Sequence, residues 1–237
     1  MKPTWSVAGI ALLGAVIAAG IFSEWPMFRV FRRMARRRTC ADAAAQYGAA
    51  ARQRLLPKFA QAGFPAFPPA IALLIFKREQ IVEVWGKQGA RWRYVTAYPF
   101  TANSGTAGPK LREGDGQIPE GAYSVAAMNP NSSYHLSLKV SYPNDFDRAM
   151  AEADGRERLG GDIYAHGKNL TIGCIPVGDP AIEDLFVLAH DVGMANVRIL
   201  IAPWDFRTDP TRPQLSDIRW SGLLYDMLAL ALEPFQP

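Results

Sequence analysis

The chain has 237 residues, 49% of them apolar and 20% charged, with a formal net charge of +4. That is enough chain to bury one substantial core, and the balance excludes both a disordered chain and a polytopic membrane protein. Residues 1–38 hold seven basic side chains (Lys2, Arg29, Arg32, Arg33, Arg36, Arg37 and Arg38) against Glu24, so they carry +6 and leave −2 on the rest, which gives no reason to expect nucleic-acid binding.

The first predicted element is the run "WSVAGIALLGAVIAAGIF", Trp5–Phe22, eighteen residues without a charge. It is just long enough for a short membrane span and somewhat long for a signal-peptide core, so residues 1–28 are read as a signal peptide or membrane anchor. Ala18, Ala19 and Gly20 suit a cleavage site. The arginines that follow favour keeping that flank in the cytoplasm, and an exported body would break this rule. Alternatively, "MFRVFRRMARRR" lies on an anionic membrane surface with Phe28, Phe31 and Met34 inward. Cys40 follows "RRRT", which is no lipidation signal, and two cysteines are too few for a disulfide framework.

Residues 29–65 are read as a basic, then Ala-rich, linker with helical character over 41–60. After the "GFPAFPP" punctuation, "AIALLIFK", a turn at Arg78–Gln80 and "IVEVW" predict a β-hairpin, with "RWRYVTAYPF" as a third strand. Residues 102–121 form a long loop dense in Gly, Pro and polar groups, and such loops are often functional. "AYSVAAM" and "YHLSLKVSYP" predict further strands, and a short helix opens at Asn144. "DIYAHG" and "TIGCIPV" read as two short strands joined by a loop. The next helix has Asp179 as N-cap, Pro180 at its first position, Ile182, Leu185, Phe186 and Ala189 on one face, and Gly193 past its end. "VRILIAP" returns as a strand, and residues 206–237 carry a C-terminal amphipathic helix. The expectation is a mainly β domain with peripheral helices (α+β), its catalytic part over 66–205.

Scarce chemistry is concentrated in "YAHGKNLTIGC", residues 164–174: one of three histidines and one of two cysteines stand eight positions apart, each beside a glycine. Three readings are open. A thiol attacks as thiolate, and a neighbouring imidazole can take its proton; with His166 ending one strand and Cys174 starting the next, the two side chains can meet. Gly167 and Gly173 then allow tight turns and close approach of substrate backbone, and amides near Gly173 can face an oxyanion. A metal reading has His135, His166, His190, Cys174 and Asp162 available, but no HxxxH, HExxH or CxxC spacing. In the third reading both residues are ordinary members of the core.

"HGKNLTIGC" resembles the shortened active-site signature of the YkuD-type L,D-transpeptidases: HG, a brief loop, Ser or Thr, one residue, then GC. "SGTAGPKLREGDGQIPEGAYSV", "MNPNSSYHLSLKVSYPNDFDRA" and "GCIPVGDPAIEDLF" resemble blocks of the YafK-like branch of that family, so the likeness spans roughly residues 70 to 205. The resemblance implies a YkuD-like, β-rich catalytic domain acting on peptidoglycan stem peptides through a cysteine thioester. It implies Cys174 as nucleophile, His166 as general base and Gly173 in the oxyanion region, with Thr171 where serine is usual. The commoner family form has histidine where this chain has Ile172, and an arginine soon after the cysteine that "CIPVGD" lacks. Those departures leave open whether an amine or water releases the acyl group.

Other candidates surround this pair. Alternation puts His135 on one face with Ser137 and Lys139, where it either lines the groove or is a satisfied strand histidine. Lys110 and Arg112 can meet a diaminopimelate or peptide carboxylate, or be solvated loop charges. Ser104 and Gly105 shape a lid or a mobile turn. Asp162 can orient His166, although a backbone carbonyl often fills that slot. Tyr142 and Asn144 fix a turn. The expected protein is a periplasmic cysteine enzyme of cell-wall biogenesis, membrane-anchored or secreted, forming or cleaving amide bonds, with no cofactor or metal. Its partners would be stem peptides and a wall-linked protein. The alternative is a catalytically silent peptidoglycan-binding or scaffolding module held near the membrane.

Overall fold

A computed structural model describes residues 37–236. The N-terminal apolar segment and most of the arginine cluster lie outside the described residues. Among those described, no helix is long and apolar enough to cross a membrane. The described residues from Thr39 onward form one compact unit.

The scaffold is an eight-stranded mixed sheet: β1 (Ile71–Phe76), β2 (Ile81–Gln88), β3 (Arg91–Pro99), β4 (Gly121–Asn129), β5 (Ser137–Val140), β6 (Tyr164–His166), β7 (Ile175–Pro176) and β8 (Val197–Ala202), in the order β3-β2-β1-β8-β4-β5-β6-β7. This is the mainly β, α+β architecture expected. "IALLIF" has no polar residue because β1 is covered on both faces. Ile71, Leu73 and Ile75 enter one core, and Ala72, Leu74 and Phe76 enter the other. β1 pairs antiparallel with β2 and parallel with β8, Ile71 opposite Val197. A register shift between Val125 and Ala127 bends β4 as it leaves β8 for β5.

Among the described residues, four α-helices cover this sheet: α1 (Cys40–Gln61), α2 (Asp145–Ala153), α3 (Asp179–Val192) and α4 (Ser221–Leu232). The Ala-rich segment expected within a linker is α1, part of the folded body. Thr39 caps it through a reciprocal bond with Asp42, and Leu55 and Phe59 are fully buried in the same core that Leu185 and Phe186 of α3 enter. Alanine spacing at Ala43, Ala44 and Ala51 gives a face flat enough for helix-on-helix contact. The C-terminal helix α4 closes the other core with Leu224, Tyr225, Leu228 and Leu232, followed by Phe235.

The N-terminus of α3 differs by one residue from expectation. Gly178, at φ +79°, is the cap, and Asp179 lies inside the helix with its carboxylate turned to the amide of Lys168 at 2.8 Å. Asn144 is the N-cap of α2, where the sequence puts it.

Candidate active site

β5, β6 and β7 bring the two scarce residues together. β6 lies between the others, with His166 opposite Ser137 on one side and Pro176 on the other. The loop from Gly167 to Cys174 is pinned at its start, where Thr101 Oγ1 donates to the Lys168 carbonyl at 2.6 Å and Asp179 holds the Lys168 amide. Gly167 is required by space: a Cβ there would lie 2.4 Å from Asp179 Oδ1 and 2.8 Å from the Tyr134 carbonyl. Gly173 is required by conformation, at φ +91° with the Gln117 carbonyl 3.1 Å from where a Cβ would stand.

His166 and Cys174 line one cavity of about 220 Å³, together with Asn129, Ser132, Ser133, Tyr134, Ser137 and Tyr164. His166 is buried and its Nδ1 meets the Gly167 carbonyl at 2.6 Å. A carbonyl only accepts, so Nδ1 carries the proton and Nε2 holds the free lone pair. Tyr134 covers the imidazole, ring centroids 4.6 Å apart. Burial pushes the imidazole below the ordinary histidine range, partly offset by the Gly167 carbonyl. Burial likewise pushes the half-buried Cys174 thiol up, against the pull of the Tyr164 amide. Both groups therefore rest neutral near pH 7, and the S–H points to the Asp162 carbonyl at 3.6 Å. The Asp162 side chain does not orient His166. It pairs with Lys139 Nζ at 3.0 Å, and the orienting slot belongs to a backbone carbonyl.

Thr171 ties the end of the loop. Its hydroxyl donates to the Cys174 carbonyl at 2.7 Å and accepts from the Cys174 amide at 2.9 Å. Thr171→Val keeps the shape and removes both bonds. It is expected to lower stability by about 1–2 kcal/mol and to speed amide hydrogen exchange at Cys174, whereas Thr171→Ser changes neither. Unaltered exchange in the valine variant would show that the hydroxyl does not hold this loop.

The remaining candidates are placed as follows. Ser104, in the 100–120 loop, accepts from the Gly173 amide at 2.7 Å, and Gly105 packs on Gln117 at φ +76°. The amides expected to face an oxyanion at Gly173 and Cys174 are thus each engaged by a hydroxyl. Lys110 is neither solvated nor available to a carboxylate, because its buried ammonium pairs with Asp115 at 2.6 Å and donates to the Arg112 carbonyl. Arg112 is exposed and lines a different cleft of about 770 Å³ with Arg156 and Arg158. His135 precedes β5 with φ +74°, so strand alternation does not apply to it. It meets Glu183 at 2.9 Å and stacks edge-on with Tyr47, outside the cavity lining. His190 pairs with Asp191, and among the described residues no three His, Cys, Asp or Glu side chains stand close enough to hold a metal. The cavity's Asn129, Ser132, Ser133 and Tyr134 escaped the sequence reading as individual residues. Their signal was the polar, turn-rich "NPNSSYH" before β5.

The chain is 31% identical over 139 residues, 56% of its length, to the protein named "Putative L,D-transpeptidase YafK" in Escherichia coli K12, and the same holds for that protein in Escherichia coli O157:H7. The chain spans about half the length of these curated relatives, 54%. Over that stretch the likeness agrees with the YafK-like, L,D-transpeptidase-type resemblance that the sequence motifs carry. No family model matches it. Among solved structures it is similar to the helical cell shape determining protein Pgp2 from Campylobacter jejuni (22% identity, TM-score 0.47, 69% of this chain and 56% of that one). It is also similar to L,D-transpeptidase 1 of Mycobacterium tuberculosis (14% identity, TM-score 0.32, 56% of this chain and 62% of that one).

Proposed function

We propose that this chain is a cysteine acyl-transfer enzyme of L,D-transpeptidase type, acting on peptidoglycan stem peptides at the wall side of the membrane. The observation that carries the reading is the shared cavity of His166 and Cys174, with the imidazole tautomer set so that its basic nitrogen is Nε2. The homology to YafK-named proteins supports the substrate class.

The resting pair is neutral, so the thiolate forms during attack. The Cys174 S–H proton moves to His166 Nε2 as sulfur adds to the carbonyl carbon at the L-centre of a stem peptide. The C=O electron pair moves onto oxygen. When the tetrahedral intermediate collapses, the C–N bond breaks and the amine leaves with the proton that His166 held. A thioester remains on Cys174. An amine or water then attacks it with His166 again taking a proton, and the C–S bond breaks to return the thiol. An amine acceptor yields a cross-link or an attached partner, and water yields a trimmed peptide.

Incubating the purified protein with defined muropeptides and reading product masses across pH tests this. Turnover is expected, with its acid limb below about 6.5, the ordinary histidine value, because His166 must be neutral and burial lowers its pKa. No change of mass at any pH would overturn the enzymatic reading and leave the binding module. An acid limb above the ordinary value would remove His166 as the base.

A further inference from the structure

The two hydroxyls at the Gly173–Cys174 peptide differ in what they have left to donate. Thr171 accepts from the Cys174 amide and gives its own proton to the Cys174 carbonyl, so its donor capacity is spent. Ser104 Oγ accepts from the Gly173 amide at 2.7 Å, and its own proton has no acceptor among the described residues. A hydroxyl that accepts from an amide is polarised, which strengthens the bond it can give.

We propose that Ser104 is a catalytic residue whose O–H donates to the oxyanion formed when Cys174 attacks, with the Gly173 amide polarising it from behind. No bond to Ser104 forms or breaks, and its proton stays on oxygen. The inference rests on the acyl-transfer reading and assigns it a residue outside the histidine–cysteine loop.

The loop that carries Ser104 is anchored, as a preorganised donor requires. The Thr106 amide donates to Gln117 Oε1 at 3.1 Å, and Gln117 Nε2 donates to Thr106 Oγ1 at 3.3 Å. Lys77 Nζ, buried beneath, reaches Gln117 Oε1 at 3.4 Å, the Gly108 carbonyl at 2.8 Å and the Ile118 carbonyl at 2.9 Å. The Gln117 carbonyl lies directly on Gly173. Lys77 and Gln117 are positioning residues, and Ser104 is the group they present.

The competing account is that Ser104 merely caps the Gly173 amide and leaves when substrate arrives. Removing the hydroxyl would then free the amide and hold or raise the rate. The test uses the purified protein and a muropeptide that it turns over and its Cys174→Ala variant does not, a control that judges the acyl-transfer reading on its own. Ser104→Ala should lower kcat by about 100-fold with KM changed less than about twofold, and Ser104→Thr should recover most of the loss. A matched substrate whose scissile C=O is C=S accepts hydrogen bonds poorly, so there the alanine penalty should shrink to about threefold or less. Unchanged or raised kcat in Ser104→Ala would overturn the proposal. So would an equal penalty on the oxygen and sulfur substrates, since a structural defect does not distinguish them. A wild-type protein without turnover overturns both readings.

Discussion

Cys174→Ala is expected to turn over no muropeptide, a loss of about 10⁴-fold or more, while melting within about 1 kcal/mol of the parent. The two halves of this expectation have separate causes. The sulfur is the only atom removed, and the proposed reaction has no other thiol to use, since Cys40 lies in α1 with its Sγ against the Met128 carbonyl. Stability should persist because the loop is held through the backbone of Cys174, whose amide and carbonyl both bond to Thr171. The side chain itself is half-buried at a cavity wall, so its loss opens little new void. Product masses and a thermal melt on one preparation read both. Turnover within tenfold of the parent would end the thioester mechanism.

A large effect on stability is expected at Glu120, far from the thiol in sequence. Its carboxylate is fully enclosed. Oε1 accepts from Lys77 Nζ at 2.9 Å and from the Gly108 amide at 2.8 Å, and Oε2 accepts from the Tyr225 hydroxyl at 2.9 Å. Glu120→Ala leaves a buried ammonium, an amide and a phenol without that partner, and should cost about 3–5 kcal/mol in urea unfolding. Lys77 already sits below the ordinary lysine range because burial outweighs the carboxylate beside it, so the orphaned ammonium would be forced towards neutrality. The pair Lys77→Met with Glu120→Leu should recover part of the loss, because it removes both charges together. A single variant as stable as the parent would show that this pair does not anchor the 100–120 loop.

Most local elements were legible because local rules decide them. The strand-forming runs "AIALLIFK" and "IVEVW" on either side of the turn at Arg78–Gln80 mark the β1–β2 hairpin, and Asn144 marks the start of α2. What could not be read is pairing at long range. Nothing in "IALLIF" names Val197–Ala202 as its parallel neighbour, since any strand covered on both faces reads as a continuous apolar run. The Ala-rich α1 has a weak apolar face, and only the helix packed on it explains why alanine suffices. At the candidate site, the His166 and Cys174 motif was visible, and strand pairing decides which further residues share the cavity. His135 was misplaced for a physical reason: a left-handed residue before β5 breaks the alternation that the sequence suggests. Lys110 was misplaced because Asp115, five residues on, claims it, and a loop ion pair leaves no periodic trace.

The carbonyl that steadies His166 carries no full charge. In sites where an aspartate stands behind the imidazole, that anion raises its basicity and steadies the protonated form. In the proposed reaction the proton borrowed from sulfur would have only a neutral dipole to keep it, inside a buried setting that disfavours cations. The protonated ring would therefore be a brief stop in that reaction, with a strong tendency to hand its proton onward to the departing amine. A two-membered arrangement of this kind trades strength in abstracting the proton for speed in returning it, and it keeps its base unprotonated in mildly acidic surroundings where an ordinary histidine would already be charged.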